Sequence, residues 1–361
     1  PLGLKNTDNK TIASTINHKI KHVITQNACT IQNGFIAGRN FLYNVVSLDA
    51  AARNLSYPVH WHLIPVLVFF DFAAAFPSML HDFLMAIIAA SGLPQGYVQA
   101  ITAFYTLCAS YLSVSNNIIF FTWILSGVIQ GCPLSGSMFA LAADPFLCRL
   151  RDALSEHILS QARACADDVG VALASLESLK VVYPIFAKAE LAAGLTLKPA
   201  KCNIVPIAPF TIHLVETIRS WLYANLPNWS KFQILKCAKY LGFFLGPSTT
   251  LESFKAPFLK WNTRSKAISS AAMAANASAF AYNTEAVSTL SYIAQLLVFP
   301  DELTKQQDAI ISSILKIPYR GLGSSAPFHL KSHTNSTNFQ CIKTMSMAVL
   351  SRTANSTIPN W

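Results

Sequence analysis

Charged residues are scarce in this sequence of 361 residues, because Asp, Glu, Lys and Arg together make up only 12% of it. Residues 83–143 contain none of these four types and no His. The mean hydropathy is +0.38, so a membrane protein has to be considered as one alternative. The uncharged stretch is interrupted by glycine, proline and asparagine, so its apolar runs are shorter than the roughly 20 residues of a transmembrane helix. We therefore expect no membrane partner, and a membrane protein stays the second alternative.

Cysteines with metal-binding spacing are also missing. The eight cysteines are scattered, without a CxxC pair or a Cys/His cluster of zinc spacing, which excludes a zinc module. We interpret them as reduced thiols of an intracellular protein. No endonuclease pattern and no signal peptide is recognisable, and the chain begins with Pro instead of Met. We therefore expect the sequence to be a piece of a longer protein.

The two halves of the chain differ in charge. Residues 1–180 carry ten residues of each sign, whereas residues 181–361 carry 17 basic and 7 acidic residues. This is typical of a protein that holds a polyanion with one part and performs metal chemistry with another. A basic surface that only aids solubility is the alternative. The length favours two domains.

Two adjacent carboxylates, Asp167 and Asp168, lie between alanines and the apolar residues 169–173. This pattern predicts a β-hairpin with the aspartates at its turn and buried strands. Two neighbouring carboxylates stay ionised in a partly buried place only if a cation neutralises them, and hard oxygen ligands suit Mg²⁺. A solvated turn is the alternative.

Asp71 is the candidate for a third carboxylate of the same site. It follows the unbroken apolar run 66–70, which is typical of a strand buried on both faces. Alanines at 73–75 follow, so a helix N-cap is the alternative for this residue. The two motifs together predict a cation site more strongly than either does alone.

Six motifs in a fixed order resemble the reverse transcriptases of non-LTR (LINE-type) retrotransposons. They are QNGFIAGR at 32–39, FFDFAAAF at 69–76, SGVIQGCPLSG at 126–136, CADD at 165–168, GLTLKPAK at 194–201 and KYLGFFLG at 239–246. The resemblance implies an α+β, right-hand polymerase fold with an antiparallel palm sheet backed by helices. Residues 1–60 would form partial fingers, 61–246 the palm, and 247–361 a helical thumb-like region with a polar tail.

The resemblance also implies which residues bind metal. Asp71 and Asp167 would coordinate two Mg²⁺ ions, for which Mn²⁺ could substitute, and Asp168 would be a weaker supporting carboxylate. The backbone of Phe72 would supply another oxygen. The family usually has an aromatic residue near the primer end where this sequence has Cys165.

Further residues are assigned to the substrates in the same way. Phe76 would lie under the sugar of the incoming nucleotide and exclude a ribose 2′-hydroxyl. Gln130 and Gly131 would contact the nascent base pair, and Lys201 would lie near the leaving pyrophosphate. The family often has Asp where this sequence has Pro77, and the family arginine that contacts the triphosphate would precede the first residue.

Template and primer contacts are expected at both ends of the chain. Arg39 would contact a phosphate or the template strand, and the turn of KYLGFFLG would grip the primer. Basic residues interleaved with aromatic ones after residue 248 could follow a duplex backbone. The residues assigned to template and primer are Arg39, Tyr240, Leu241, Gly242, Lys260 and Arg264.

Apolar periodicity predicts the helices between and after these motifs. They are expected at 40–53, at 94–112 with Pro94 at the start, after the turn at 128–136, at 175–193 with Gly194 at the end, near 283–298, and at 301–316 with Asp301 as N-cap. The tail at 331–361 shows no interpretable pattern.

The predicted function is RNA-directed DNA synthesis, which requires an RNA template, a DNA primer and deoxynucleoside triphosphates. The resemblance implies a nuclear protein with a cytoplasmic ribonucleoprotein stage. A catalytically inactive, nucleic-acid-binding remnant of a retroelement is the main alternative, favoured by Cys165, by the missing arginine and by the apolar composition. The sequence does not indicate the oligomeric state.

Overall fold

The structure, a computed structural model, describes residues 7–357 apart from 116, 158, 248, 250, 319–320, 322, 324 and 334–336. The chain forms two compact units. The first comprises residues 1–241 and 245–248, and the second comprises residues 242–244 and 249–361. The division of the first unit into fingers and palm stays a prediction.

The described residues form a mixture of helices and short strands. The helices are α1 (Thr7–Asn27), α2 (Leu42–Leu55), α3 (Ala75–Ser78), α4 (His81–Ala90), α5 (Gln95–Tyr105), α6 (Ser135–Ser155), α7 (Leu179–Ala193), α8 (Ile212–Asn225), α9 (Glu252–Ser270), α10 (Ala275–Ala281), α11 (Ser288–Ser291), α12 (Asp301–Leu315), α13 (Leu330–His333) and α14 (Ile342–Thr357). The strands are β1 (Val66–Phe70), β2 (Ala109–Val114), β3 (Asn117–Trp123), β4 (Gln161–Cys165), β5 (Asp168–Leu173), β6 (Asn203–Pro206), β7 (Gln233–Ile234), β8 (Ala238–Tyr240) and β9 (Phe243–Leu245).

A five-stranded sheet in the order β4-β5-β1-β6-β7 is the centre of the first unit. Strand β1 is its middle strand and pairs antiparallel with both β5 and β6. All five residues of β1 are buried, as the apolar run predicts. The predicted antiparallel palm sheet is confirmed with one correction: β6 and β7 pair in parallel.

Both faces of this sheet are covered. On one face Phe70 stacks on Phe186 of α7, with ring centroids 4.2 Å apart. The neighbouring residue Phe69 points to the opposite face, because side chains alternate along a strand. There it stacks on Tyr240 at 5.1 Å, and Leu48 of α2 lies against Gly170 beside it. The end of β1 is therefore fixed from above and below.

Several helix predictions need correction. The helix expected at 94–112 ends at Tyr105, because residues 109–114 form β2 and pair with β3. The helix expected at 283–298 is interrupted by a π-helical segment at Tyr282–Val287 and a 3₁₀ turn at Ile293–Gln295. Asp301 is the first helical residue of α12, and the N-cap is Pro300. The supposedly uninformative tail contains α14, whose first residue, Ile342, is fully buried.

Other helix predictions are confirmed. Helix α2 covers most of the predicted 40–53 segment, and α6 follows the predicted turn. Helix α7 ends where Gly194 adopts a left-handed conformation. No helix in the described part of the chain combines the length and the apolar character that crossing a bilayer requires.

Candidate active site

Asp71 directly follows the last residue of the central strand β1. Its N–H donates to the thiol of Cys202 at 3.3 Å, and its carbonyl accepts from the N–H of Lys198 at 2.7 Å. Helix α3 begins only at Ala75, with Ala74 as N-cap, so Asp71 is not a helix cap. The strand and the 198–202 turn together fix the backbone that carries this carboxylate.

Asp167 and Asp168 lie at the tip of the hairpin formed by β4 and β5. Cys165 pairs with Asp168, so Ala166 and Asp167 form a two-residue turn. The predicted hairpin is therefore confirmed with one correction: only Asp167 lies in the turn, and Asp168 is the first, exposed residue of β5. Phe70 pairs with Val169 in the antiparallel ladder. Asp71, which follows Phe70, therefore lies beside Asp168, which precedes Val169, at the same end of the sheet.

The three carboxylates influence one another. Burial, with the negative charges of Asp167 and Asp71, raises the pKa of Asp168 to about 6. Burial and the charge of Asp71 also raise the pKa of Asp167. The site therefore concentrates negative charge, and no positively charged side chain contributes to these two pKa shifts. This is the electrostatic condition under which a bound cation would be favoured.

The donor chemistry of this site fits a hard divalent cation. Carboxylate and carbonyl oxygens suit Mg²⁺, which in polymerase-type sites takes its other ligands from substrate phosphates and water. Among the residues that the structure describes, no three His, Cys, Asp or Glu side chains form a group able to hold a metal ion by themselves. A cation bound there would take its remaining ligands from water or from a substrate.

Acidification should stabilise the metal-free protein. The pKa of Asp168 is about 6 in the folded state against 3.8 for an unperturbed Asp, so this group favours folding below pH 3.8 and the contribution is lost as the pH rises through 6. Since Asp168 is exposed to solvent at the hairpin tip, solvent screening reduces the effect to about 1 kcal/mol. Asp168→Asn should raise the free energy of unfolding at pH 7 by this amount and flatten its change between pH 4 and 6 in urea titrations. An unchanged pH profile would contradict the assignment.

Phe76 belongs to an aromatic group with Phe35 and Phe139. It stacks on Phe139 of α6 with centroids 4.3 Å apart and meets the edge of Phe35 at 5.8 Å. Phe35 is 55% exposed and has a φ of +60°, which is uncommon for a residue other than glycine. An exposed aromatic ring next to Phe76 was not singled out in the sequence.

Gln130 and Gly131 are both exposed in the loop that precedes α6. Gly131 has a φ of +75°, where glycine is favoured, and a Cβ there would meet no atom within 4 Å. Gln130 lines an open cleft of about 800 Å³ together with Pro77, His81 and Phe104. The loop therefore faces open space, and its contact with a nucleotide stays a prediction.

Comparison with known proteins decides the family. Residues 1–245 match the family model described as reverse transcriptase (RNA-dependent DNA polymerase). The chain belongs to the reverse transcriptase family. The predicted resemblance is thus confirmed over the residues that carry the six motifs.

One curated protein and one solved structure are similar to this reverse transcriptase. It is 27% identical over 201 residues to the Transposon TX1 uncharacterized 149 kDa protein of Xenopus laevis, which covers 53% of this chain and 15% of the relative. The solved telomerase of Candida albicans, in complex with the TWJ fragment of telomeric RNA, is 10% identical with a TM-score of 0.51. That match covers 95% of this chain and 53% of the telomerase chain, and it supports the polymerase fold. The chain therefore spans only a part of these relatives.

Lys201 is exposed in the turn that supports Asp71. Its N–H donates to the carbonyl of Lys198, whose own N–H donates to Asp71. Phe72 forms an isolated bridge with Leu197, so the same reverse transcriptase motif also holds the predicted carbonyl ligand. The backbone of this motif is thereby tied to the segment that follows β1.

Arg39 occupies a different environment from the one predicted. Its guanidinium donates to the carbonyl oxygens of Cys29 at 2.5 Å, Gln32 at 2.7 Å and Ala28 at 2.9 Å. Together with a bond to the carbonyl of Thr25 at 3.4 Å, these bonds join the loop that follows α1 to the end of that helix. The geometry favours a structural role, and the contact with template stays a prediction.

Tyr240 lies beneath the aspartate hairpin and is 4% exposed. Its hydroxyl lies 3.3 Å from the carbonyl oxygen of Asp168 and 3.4 Å from that of Arg163, and its single proton can be donated to either. Burial raises its pKa, so the hydroxyl stays protonated and able to donate. Leu241 and Gly242 form the turn between β8 and β9, as predicted, while their contact with primer stays a prediction.

In the second unit, Lys260 is exposed on α9. Arg264 donates to the carbonyl of Glu285 at 2.5 Å and lies 3.7 Å from its carboxylate. Trp261 is fully buried and bonds to the hydroxyl of Tyr282, so it belongs to the core and not to an interleaved binding face. Of the two predicted duplex contacts, Lys260 is the more exposed, whereas Arg264 is engaged by Glu285.

Proposed function

We propose that this chain catalyses RNA-directed DNA synthesis by nucleotidyl transfer to a primer 3′-hydroxyl. The observation that carries the proposal is the register of the sheet, by which Asp71 and the hairpin tip with Asp167 and Asp168 lie at one end of a doubly covered sheet. The charge interaction among the three side chains supports it. Family membership supplies the reaction class.

The reverse transcriptase family generally uses divalent metals. We assign Asp71 and Asp167 as the firm ligands of two Mg²⁺ ions, with Asp168 and the Phe72 carbonyl as supporting groups. When bound, such ions lower the pKa of the attacking hydroxyl and neutralise the phosphates of an in-line displacement. The residues of the chain hold the carboxylates in place through β1, the hairpin and the 198–202 turn.

Substrate positioning falls to the groups around the carboxylates. The face of Phe76 would support the sugar of the nucleotide, and exposed Gln130 would contact the nascent base pair. Exposed Lys201 would place a positive charge near the departing pyrophosphate. The second half of the chain, with its net charge of +10, would bind the phosphates of the RNA template and DNA primer.

Primer extension on matched RNA and DNA templates tests this function. With Mg²⁺ and all four deoxynucleotides, extension of an annealed DNA primer on the RNA template is expected, and EDTA should abolish it. Affinity for the same duplex should fall steeply with salt, because phosphate contacts release counterions. Salt-dependent binding without extension on either template would reject the proposal and favour a catalytically inactive binding protein.

A further inference from the structure

The turn that carries Asp167 has an unfavourable backbone conformation. Ala166 occupies the first position of the two-residue turn and has a φ of +57°. This position in a tight hairpin favours glycine, because a Cβ disfavours the left-handed region. The turn sequence alone therefore does not explain why this conformation is adopted next to a catalytic carboxylate.

A single buried side chain binds both main-chain groups of Ala166. Gln32 is 0% exposed. Its Oε1 accepts from the N–H of Ala166 at 2.9 Å and from the N–H of Gly34 at 2.8 Å. Its Nε2 donates to the carbonyl of Ala166 at 3.3 Å. The amide thus fixes the peptide planes on either side of the strained residue.

The loop around Gln32 is itself held against β4. Gln32 forms a parallel bridge with Ala164, and the N–H of Asn33 donates to the carbonyl of Ala164 at 2.8 Å. Asn44, also fully buried, donates to the same carbonyl at 2.9 Å. These contacts hold the hairpin independently of the Gln32 side chain, whose own bonds go to the turn.

We propose that Gln32 is a positioning residue of the polymerase site, which fixes the turn so that the carboxylate of Asp167 faces Asp71. The inference rests on the proposed function. Misplacement of a catalytic group by about 1 Å can lower a rate about 100-fold, so a side chain that sets the turn affects chemistry without contacting substrate. Asp167 would remain present in a variant lacking the amide, but with a wider range of orientations.

The test compares Gln32→Met with Gln307→Met. Gln307 is a matched control in the second unit, because it is 2% exposed and binds Tyr282, Gln340 and the N–H of Ile342 through its amide. Two properties are measured for each folded variant. One is amide hydrogen exchange in the peptide 161–173, and the other is the rate of single-nucleotide incorporation at saturating primer–template as a function of Mg²⁺.

For Gln32→Met we expect about tenfold to 100-fold slower incorporation, a higher Mg²⁺ concentration at half-maximal rate and faster exchange at the turn. Primer–template affinity should stay within about twofold, since the basic second half is unchanged. Gln307→Met should keep the parental rate, Mg²⁺ dependence and hairpin exchange. Replacing Ala166 with glycine in the Gln32→Met protein should recover part of the rate, because glycine adopts the positive φ without the amide.

Two results would overturn the proposal: a folded Gln32→Met protein with parental rate and Mg²⁺ dependence, or an equal loss in Gln307→Met. If Gln32→Met does not fold, Gln32→Asn, which retains an amide but is one carbon shorter, is measured in the same way. If the parent protein incorporates no nucleotide, the proposed function fails by itself. Hydrogen exchange then decides whether Gln32 fixes the turn.

Discussion

Asp167→Asn is expected to abolish nucleotide incorporation while leaving duplex binding intact. Asparagine keeps the shape of the side chain but removes the negative charge with which Asp167 would hold a divalent cation. With one of two firm ligands lost, the rate should fall at least about 10³-fold. Because burial and Asp71 already raise the pKa of Asp167, removal of this charge also relieves repulsion, so loss of folding is not expected to cause the defect. Single-turnover incorporation and a duplex-binding titration measure the two properties.

Two matched variants give this prediction its control. Asp82→Asn removes an exposed carboxylate in the first turn of α4 and should leave the rate unchanged. Asp168→Asn should lower the rate less than Asp167→Asn, because we assign Asp168 only a supporting role. Equal losses in all three variants, or no loss in Asp167→Asn, would contradict the assignment of the firm ligand.

Gly34→Ala is expected to have the largest effect on stability. A Cβ at this position would lie 2.2 Å from the backbone nitrogen of Ala166 and 2.8 Å from the carbonyl carbon of Cys165. Both contacts are with main chain, which cannot move aside as a flexible side chain would. The loop would have to separate from the aspartate turn, at a cost of about 3 kcal/mol in the free energy of unfolding. Urea unfolding followed by circular dichroism measures this loss.

Gly96→Ala is the control for this substitution. Gly96 lies in the first turn of α5, and a Cβ there would meet no atom within 4 Å. Alanine in a helix is favoured over glycine by about 0.5–1 kcal/mol, so this variant should be slightly more stable than the parent. Similar stabilities for the two alanine variants would show that the loop does not depend on close contact at Gly34.

Local sequence signals predicted the strands that carry the candidate site. The apolar run before Asp71 is typical of a strand buried on both faces, and β1 has this pattern. Alanines and β-branched residues around Asp167 likewise predicted the hairpin of β4 and β5, because short strands with a polar turn leave few alternatives. The motif order then identified the family that the comparison confirmed.

Other features depend on contacts between distant segments and could not be predicted in this way. Helical spacing at 94–112 continues into β2, and the strand forms because β3 supplies backbone partners. Tyr240 lies in a motif that predicts a turn in contact with the primer. Its ring instead stacks on Phe69 and its hydroxyl lies near the carbonyl of Asp168, so it is buried against the sheet. Gln32 lies in a recognised motif, but its partner Ala166 is 134 residues away in the sequence. Only the folded structure shows that the two residues are hydrogen-bonded.

The most direct test of the account is single-turnover incorporation of one deoxynucleotide on an RNA template, measured over a range of Mg²⁺ concentrations for the parent and Asp71→Asn. Asp71 is the most informative position because it follows β1, whereas Asp167 and Asp168 belong to the hairpin of β4 and β5. We predict saturable, Mg²⁺-dependent incorporation by the parent and none by the variant, with equal affinity of both for the primer–template. Equal rates in the two proteins, or no incorporation by a parent that binds the duplex, would contradict the claim that Asp71 and the aspartate turn form one polymerase site.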